Sequence, residues 1–179
     1  MGRNSSRFLM IQNHNSGEQS IPVPDPLDFN ELASLVAGHP FLQDFTAEQL
    51  DRLAQCAQIR DFRPGGLILK QGDPAQKFYL IVWGSVSLLH AGMKGNTAVQ
   101  SLSGGDALGW SWLFPPYAWH YNAMSVEPTR LIEFDGEQVS QLCREQPTFG
   151  YEFMKRIAEV VIHRLQNTRH KLFRLTGEV

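Results

Sequence analysis

Glycine punctuates residues 59–135 of this 179-residue chain at intervals too short for helices and too regular for a loop. Short apolar, β-rich runs occupy the gaps: Ile59 to Phe62, Leu67 to Lys70, Phe78 to Leu89, Val99 to Leu102 and Arg130 to Phe134. Between them stand turn signals at Pro64-Gly65-Gly66, Gly72-Asp73-Pro74, Gly84, Gly92 to Asn96 and Gly104-Gly105-Asp106. Evenly spaced strands with glycine corners predict an antiparallel roll or barrel rather than alternating strand and helix units.

Helical patterns flank this region on both sides. Phe29, Leu32, Ala33 and Val36 fall on one stripe, His39-Pro40 interrupts, and Thr46 caps a second helix carrying Leu50, Leu53 and Ala57. After Gln138 a short helix ends at Pro147, and a long one follows with Phe149, Phe153, Ile157, Val160, Val161, Leu165, Thr168 and Leu172 at spacings of three and four. The fold class expected is mainly β with flanking helices: a double-stranded β-helix, or jelly roll, with N-terminal helices and a long C-terminal helix. The domain runs over 28–179, with the roll at about 58–135 and the C-terminal helices at about 137–175.

Residues 1–27 are rich in Asn, Ser, Gln and Pro and read as a disordered leader. Met1-Gly2-Arg3-Asn4-Ser5-Ser6 matches an N-myristoylation pattern, but so short a match arises by chance and the polar-leader reading is preferred. A net charge of -2 and a pI near 6.3 give no bulk reason for nucleic acid or an anionic membrane as partner. No run of about 18 apolar residues exists to span a bilayer. The two cysteines, Cys56 and Cys143, lie far apart in half-apolar segments and read as buried small residues in a reducing compartment, so a cytoplasmic location is expected.

The order of helix, β roll and long terminal helix resembles the cyclic-nucleotide-binding domain of catabolite-activator and kinase-regulatory-subunit type. The likeness covers roughly His39 to Leu175. It rests on Pro40-Phe41-Leu42, on Arg63-Pro64-Gly65-Gly66-Leu67-Ile68 with Gln71-Gly72-Asp73, on Phe78-Tyr79-Leu80-Ile81 with Gly84-Ser85-Val86, and on Gly104-Gly105-Asp106-Ala107-Leu108-Gly109. The resemblance implies a short helix after the last glycine that cradles a cyclic phosphate, a glutamate just after that glycine for the ribose, and a later arginine for the phosphate. Here Trp110 follows Gly109, and the arginine position falls near Trp119-His120. Each charge-assisted bond is worth about 1.5–3 kcal/mol, roughly ten- to a hundredfold in affinity, so the usual ion pair is missing at a large cost.

The stretch Gly109 to Tyr121 instead concentrates Trp110, Trp112, Phe114, Tyr117, Trp119 and Tyr121 around the expected pocket. Two readings stand. In one, the rings fill the space of the nucleotide and leave a protein-binding scaffold. In the other, Gly109, Trp110 and Ser111 present a helix start to an anion, while Trp112, Trp119, His120 and Tyr79 stack on or bond to a planar ligand. That ligand would be a cyclic nucleotide, another nucleotide or a dinucleotide, entering between the cassette and the strand from Phe78. The Gly-Trp-Ser-Trp-Leu-Phe-Pro-Pro cassette resembles a bacterial subgroup of short stand-alone proteins without a DNA-binding domain, one similar kind being an accessory subunit of an NAD-reducing hydrogenase.

Other chemistry finds no residues. The six histidines lack metal-ligand spacing, His163 and His170 being two helical turns apart. No nucleophile elbow, phosphate loop or dinucleotide fingerprint is present, so no catalysis and no metal are expected. On the final helix Lys155, Arg156, Arg164, Arg169, Lys171 and Arg174 read as a solvated cationic face. Its apolar stripe is expected to dock on the roll or pair with a second copy as a homodimer. The sequence thus suggests a non-catalytic regulatory ligand sensor that signals through its C-terminal helix to a partner or dimer mate. The alternative is an accessory subunit of an oxidoreductase complex; a transcriptional regulator ranks third, because the chain ends soon after that helix, and nucleic acid is not an expected partner.

Overall fold

The structure is a computed structural model that describes residues 29–93 and 95–177. The expected leader, with its myristoylation pattern, lies outside the described residues. The chain opens with helix α1 (Phe29–Gly38), a 3-10 turn (Pro40–Leu42) and helix α2 (Ala47–Ala54). Thr46 caps α2 reciprocally: Gln49 N–H donates to its hydroxyl, and its own N–H donates to Gln49 Oε1 at 2.9 Å. His39, buried, ties the 3-10 turn to the roll by donating from Nε2 to Ile81 O at 3.1 Å while Nδ1 accepts from Phe41 N–H.

Eight antiparallel strands follow: β1 (Ala57–Phe62), β2 (Leu67–Leu69), β3 (Lys77–Trp83), β4 (Ser85–Gly92), β5 (Gly95–Ser103), β6 (Ala107–Leu108), β7 (Asn122–Ser125) and β8 (Thr129–Asp135). They form two four-stranded sheets, ordered β1-β8-β3-β6 and β2-β7-β4-β5, with non-sequential neighbours in each as a jelly roll requires. The expected single run from Phe78 to Leu89 is two strands that switch sheets at Gly84. There φ is +92°, and a Cβ would lie 2.5 Å from Thr129 Oγ1 and 2.6 Å from Pro128 O, so the crossing admits only glycine. Strands β6 and β7 were not foreseen.

Helices α3 (Gly136–Glu145) and α4 (Pro147–Thr176) complete the chain, separated at Pro147 as expected. Asp135 caps α3, accepting from the N–H groups of Glu137 and Gln138. The first half of α4 buries Phe149, Phe153 and Ile157. Phe153 meets Phe41 and Phe78 at ring-centroid distances of 5.6 and 5.4 Å, which clamps α4 between the N-terminal turn and the roll. Beyond Ile157 the helix leaves this core and runs past the β6 end of the roll, where Arg164 reaches the carbonyl of Ala107.

Candidate functional site

The candidate site is built around Gly109, which ends β6 with φ at +85°. A Cβ there would stand 3.1 Å from Lys77 O, 3.2 Å from Tyr79 Cδ2 and 3.3 Å from Trp119 Cη2, so both backbone and space select glycine. The chain then makes one 3-10 turn, Ser111–Leu113, closed by Leu113 N–H to Trp110 O at 3.0 Å. This corrects the expected helix start: three residues align too few peptide dipoles to attract an anion as a helix N-terminus does.

The cassette returns along the turn at Gly72 to Ala75. Gly72 N–H donates to Trp119 O at 2.9 Å, Trp119 N–H to Asp73 O at 3.0 Å, and Ala75 N–H to Tyr117 O at 2.7 Å. These bonds set His120 opposite Ser111, with Nδ1 and Oγ 3.3 Å apart.

A cavity of about 420 Å³ opens beside this lacing. Gly109, Trp110, Ser111, Trp119 and His120 line it, as does Tyr121. Its opposite wall differs from the one expected. Of the run expected from Phe78 to Leu89 only Leu88, in β4, reaches it; Gln100 of β5 and Val161, Arg164 and Leu165 of α4 form the rest.

Two residues expected at the site lie outside this cavity. Trp112 is buried against the start of α3, so close that a Cβ on Gly136 would be 3.0 Å from its ring; its Nε1–H has no partner among the described residues. It anchors the cassette to α3. Tyr79 is buried across from Glu133 of β8, and burial followed by that carboxylate holds its pKa far above the usual phenol value. Glu133 in turn accepts from Gln58 Nε2 at 2.6 Å, which ties Tyr79 into the sheet.

Arg164 is the site residue that the sequence reading missed. Sequence spacing groups it with the solvated cations of the last helix, yet its guanidinium carbon lies 4.3 Å from the Trp110 ring centroid and its Nη2 donates to Ala107 O. Burial pushes its pKa down to about 10, and Asp106 opposes this only through space. Among the described residues Arg164 makes no ion pair, whereas Arg156, two turns earlier, pairs with Asp44 at 2.7 Å and Glu159 at 3.2 Å. The available signal was position: Arg164 lies three residues after Val161 and one before Leu165, at the edge of the apolar stripe.

Both cysteines are free and half-buried; burial raises the Cys56 pKa and pushes Cys143 up to about 11, which leaves thiols rather than thiolates. Among the described residues no cluster of three His, Cys, Asp or Glu side chains is arranged to hold a metal.

Comparison with known proteins fits this geometry. The family model described as "Cyclic nucleotide-binding domain" matches residues 59–146, from β1 through α3. The cAMP-dependent protein kinase regulatory subunit of Pyricularia oryzae is 30% identical over 70 residues, 39% of this chain and 17% of that protein. The chain therefore spans under a fifth of that relative's length. Among solved structures, a cyclic nucleotide-binding domain from Methylobacillus flagellatus superposes with a TM-score of 0.69 at 19% identity, covering 82% of this chain and 83% of that one. The Thermus thermophilus catabolite activator protein gives 0.61 at 25% identity, over 76% of this chain and 63% of that one. With two sheets in jelly-roll order and a direct match from β1 through α3, residues 59–146 belong to the cyclic nucleotide-binding domain family.

Proposed function

We propose that this chain is a non-catalytic regulatory domain that senses a planar ligand in the cavity between its tryptophan cassette and α4, and reports occupancy through that helix. The observation that carries this reading is that α4 itself forms one wall of the cavity, through Val161, Arg164 and Leu165. A ligand seated there changes the contacts of the helix directly, and so shifts its equilibrium by the difference in affinity between helix positions.

Gly109, Trp110, Ser111, Trp119 and His120 form the cassette face of the site: the indoles stack on a ring, and Ser111 and His120 offer hydrogen bonds. Trp112 and Tyr79 act in support, holding the cassette and β3 in place. The glutamate and arginine that the family resemblance implies are replaced here by aromatic and neutral groups, so the cassette is altered and cyclic AMP is one candidate among nucleotides. A second cavity of about 480 Å³ shares Val99, Gln100 and Thr168 with the first and adds His170, Lys171 and Arg174. Its basic lining favours ligands with more than one phosphate, such as a pyridine dinucleotide.

The signal would pass to a second copy. Met154, Ala158, Val161, Leu165, Thr168, Leu172 and Leu175 recur at alternating spacings of four and three along α4, as a coiled-coil seam does. Leu165, Leu172 and Leu175 are 60, 57 and 85% exposed in the single chain. Val161, Leu165 and Thr168 belong both to this seam and to the cavity, which supports coupling between ligand and homodimer. Free half-buried thiols agree with a cytoplasmic setting. No helix among the described residues is long and apolar enough to cross a membrane.

A second reading has its own observation. Phe114 and Tyr117 stand 49 and 52% exposed at the tip of the cassette, a pair of rings that suits a protein partner such as an oxidoreductase subunit. A thermal-shift panel of cyclic nucleotides and pyridine dinucleotides separates the two. A ligand at 100 times its dissociation constant adds about 2.7 kcal/mol of stability, and Trp119→Ala should remove that gain. Absence of any shift would leave the accessory-subunit reading.

A further inference from the structure

Arg164 presents an unusual electrostatic problem. Its guanidinium is half-buried between two cavities, the 420 Å³ site beside the cassette and one of about 640 Å³ lined by Asp106, Arg156, Glu159 and His163. Among the described residues no carboxylate pairs with it. A desolvated cation is stable only when something replaces its hydration. Here the substitutes are an indole face and one backbone carbonyl, which satisfy part of a fork with five donors. Arg164 lines both cavities, so a small molecule seated in either can reach its remaining donors.

Building on the sensor reading, we infer that the cavity takes an organic anion with an aromatic ring, and that Arg164 of α4 is its counter-ion. The ring stacks on the Trp110 and Trp119 side, and the anionic group, a phosphate in a nucleotide, accepts from the guanidinium in place of Ala107 O. The burial that pushes the Arg164 pKa down to about 10 also strengthens its bond to an anion, because the low local dielectric acts on attraction as well as on solvation. The residue that grips the ligand therefore rides on the helix that moves. Trp110 and Ala107 hold Arg164 and pin α4 against β6; an anion competes for that guanidinium and redirects the pin through itself.

The test is isothermal titration of the full chain with four probes: AMP, cyclic AMP, NAD and the neutral nucleoside adenosine. The expected result is that at least one anion binds ten- to a hundredfold more tightly than adenosine, the range of one charge-assisted bond. Arg164→Gln should reduce that anion to the adenosine level, while Arg164→Lys, which keeps the charge and loses the fork, should fall between. Circular dichroism checks that each variant is folded. If Arg164→Gln does not fold, the ratio of anion to adenosine in the parent, together with Arg164→Lys, still decides. Equal binding of anion and adenosine, or unchanged anion affinity in Arg164→Gln, would overturn the role of Arg164 and leave the sensor reading standing. Failure of all four probes at millimolar concentration would remove both.

Discussion

The guanidinium carbon of Arg164 sits 4.3 Å from the centroid of the Trp110 ring, joining the C-terminal helix to the residue that follows the last glycine of the roll. A cation–π pair in a desolvated setting contributes up to about 2 kcal/mol. A double-mutant cycle with Arg164→Gln and Trp110→Leu, measured by urea unfolding, should give a coupling of about 0.5–2 kcal/mol. Additive single effects would mean that the two side chains act independently.

The pinning of α4 depends first on its buried half. Phe153 touches Phe41, Phe78 and Phe149, all buried, so Phe153→Ala empties the centre of a ring cluster. The expected cost is about 3–5 kcal/mol in denaturant unfolding. Leu172→Ala, on the exposed half, should change monomer stability by less than about 0.5 kcal/mol and should instead weaken self-association in a sedimentation experiment.

Glycine corners separate into two kinds. Gly65 and Gly84 both have positive φ, but a Cβ on Gly65 meets open space whereas one on Gly84 strikes Thr129 and Pro128. Gly65→Ala is expected to cost about 1–2 kcal/mol from backbone strain alone. Gly84→Ala should cost clearly more, because strand β8 must shift; equal melting temperatures for the two variants would contradict this.

Acid stability follows from His39. Burial lowers its pKa from the usual 6.5, against an opposing bond to Ile81 O and the charge of Asp106. The unfolded chain therefore takes up the proton first as pH falls. Its contribution to stability is complete above about pH 6.5 and declines below it, until the folded form also protonates. The melting temperature of the parent should fall between pH 7 and 5 more steeply than that of His39→Asn, which keeps a cap acceptor and does not titrate. Parallel slopes would assign the acid sensitivity elsewhere.

The sequence made the roll legible because its corners need glycine, and glycine is visible one residue at a time. Strands β6 and β7 escaped because Ala107–Leu108 is two residues long and Asn122–Ser125 mixes polar with small residues, so neither shows an alternation to count. Gly84 is legible as a turn signal inside the run from Phe78, but since both halves are apolar nothing local shows that the chain changes sheets there. At the site, composition revealed a dense group of rings but not their directions. Trp112 turns to Gly136 and Trp110 to Arg164, and nothing local to the cassette distinguishes them. Arg164 was hidden for a related reason: helical spacing puts it beside the apolar stripe, and only the docking of α4 against β6 decides that it turns inward.

The central claim is that a ligand in the cassette cavity acts on α4, and amide hydrogen exchange reads that helix directly. With AMP, cyclic AMP or NAD added at saturation, exchange should change most at residues 158–170, beside Arg164, and little in β1 or α2. Binding that leaves exchange along α4 unaltered would contradict the account.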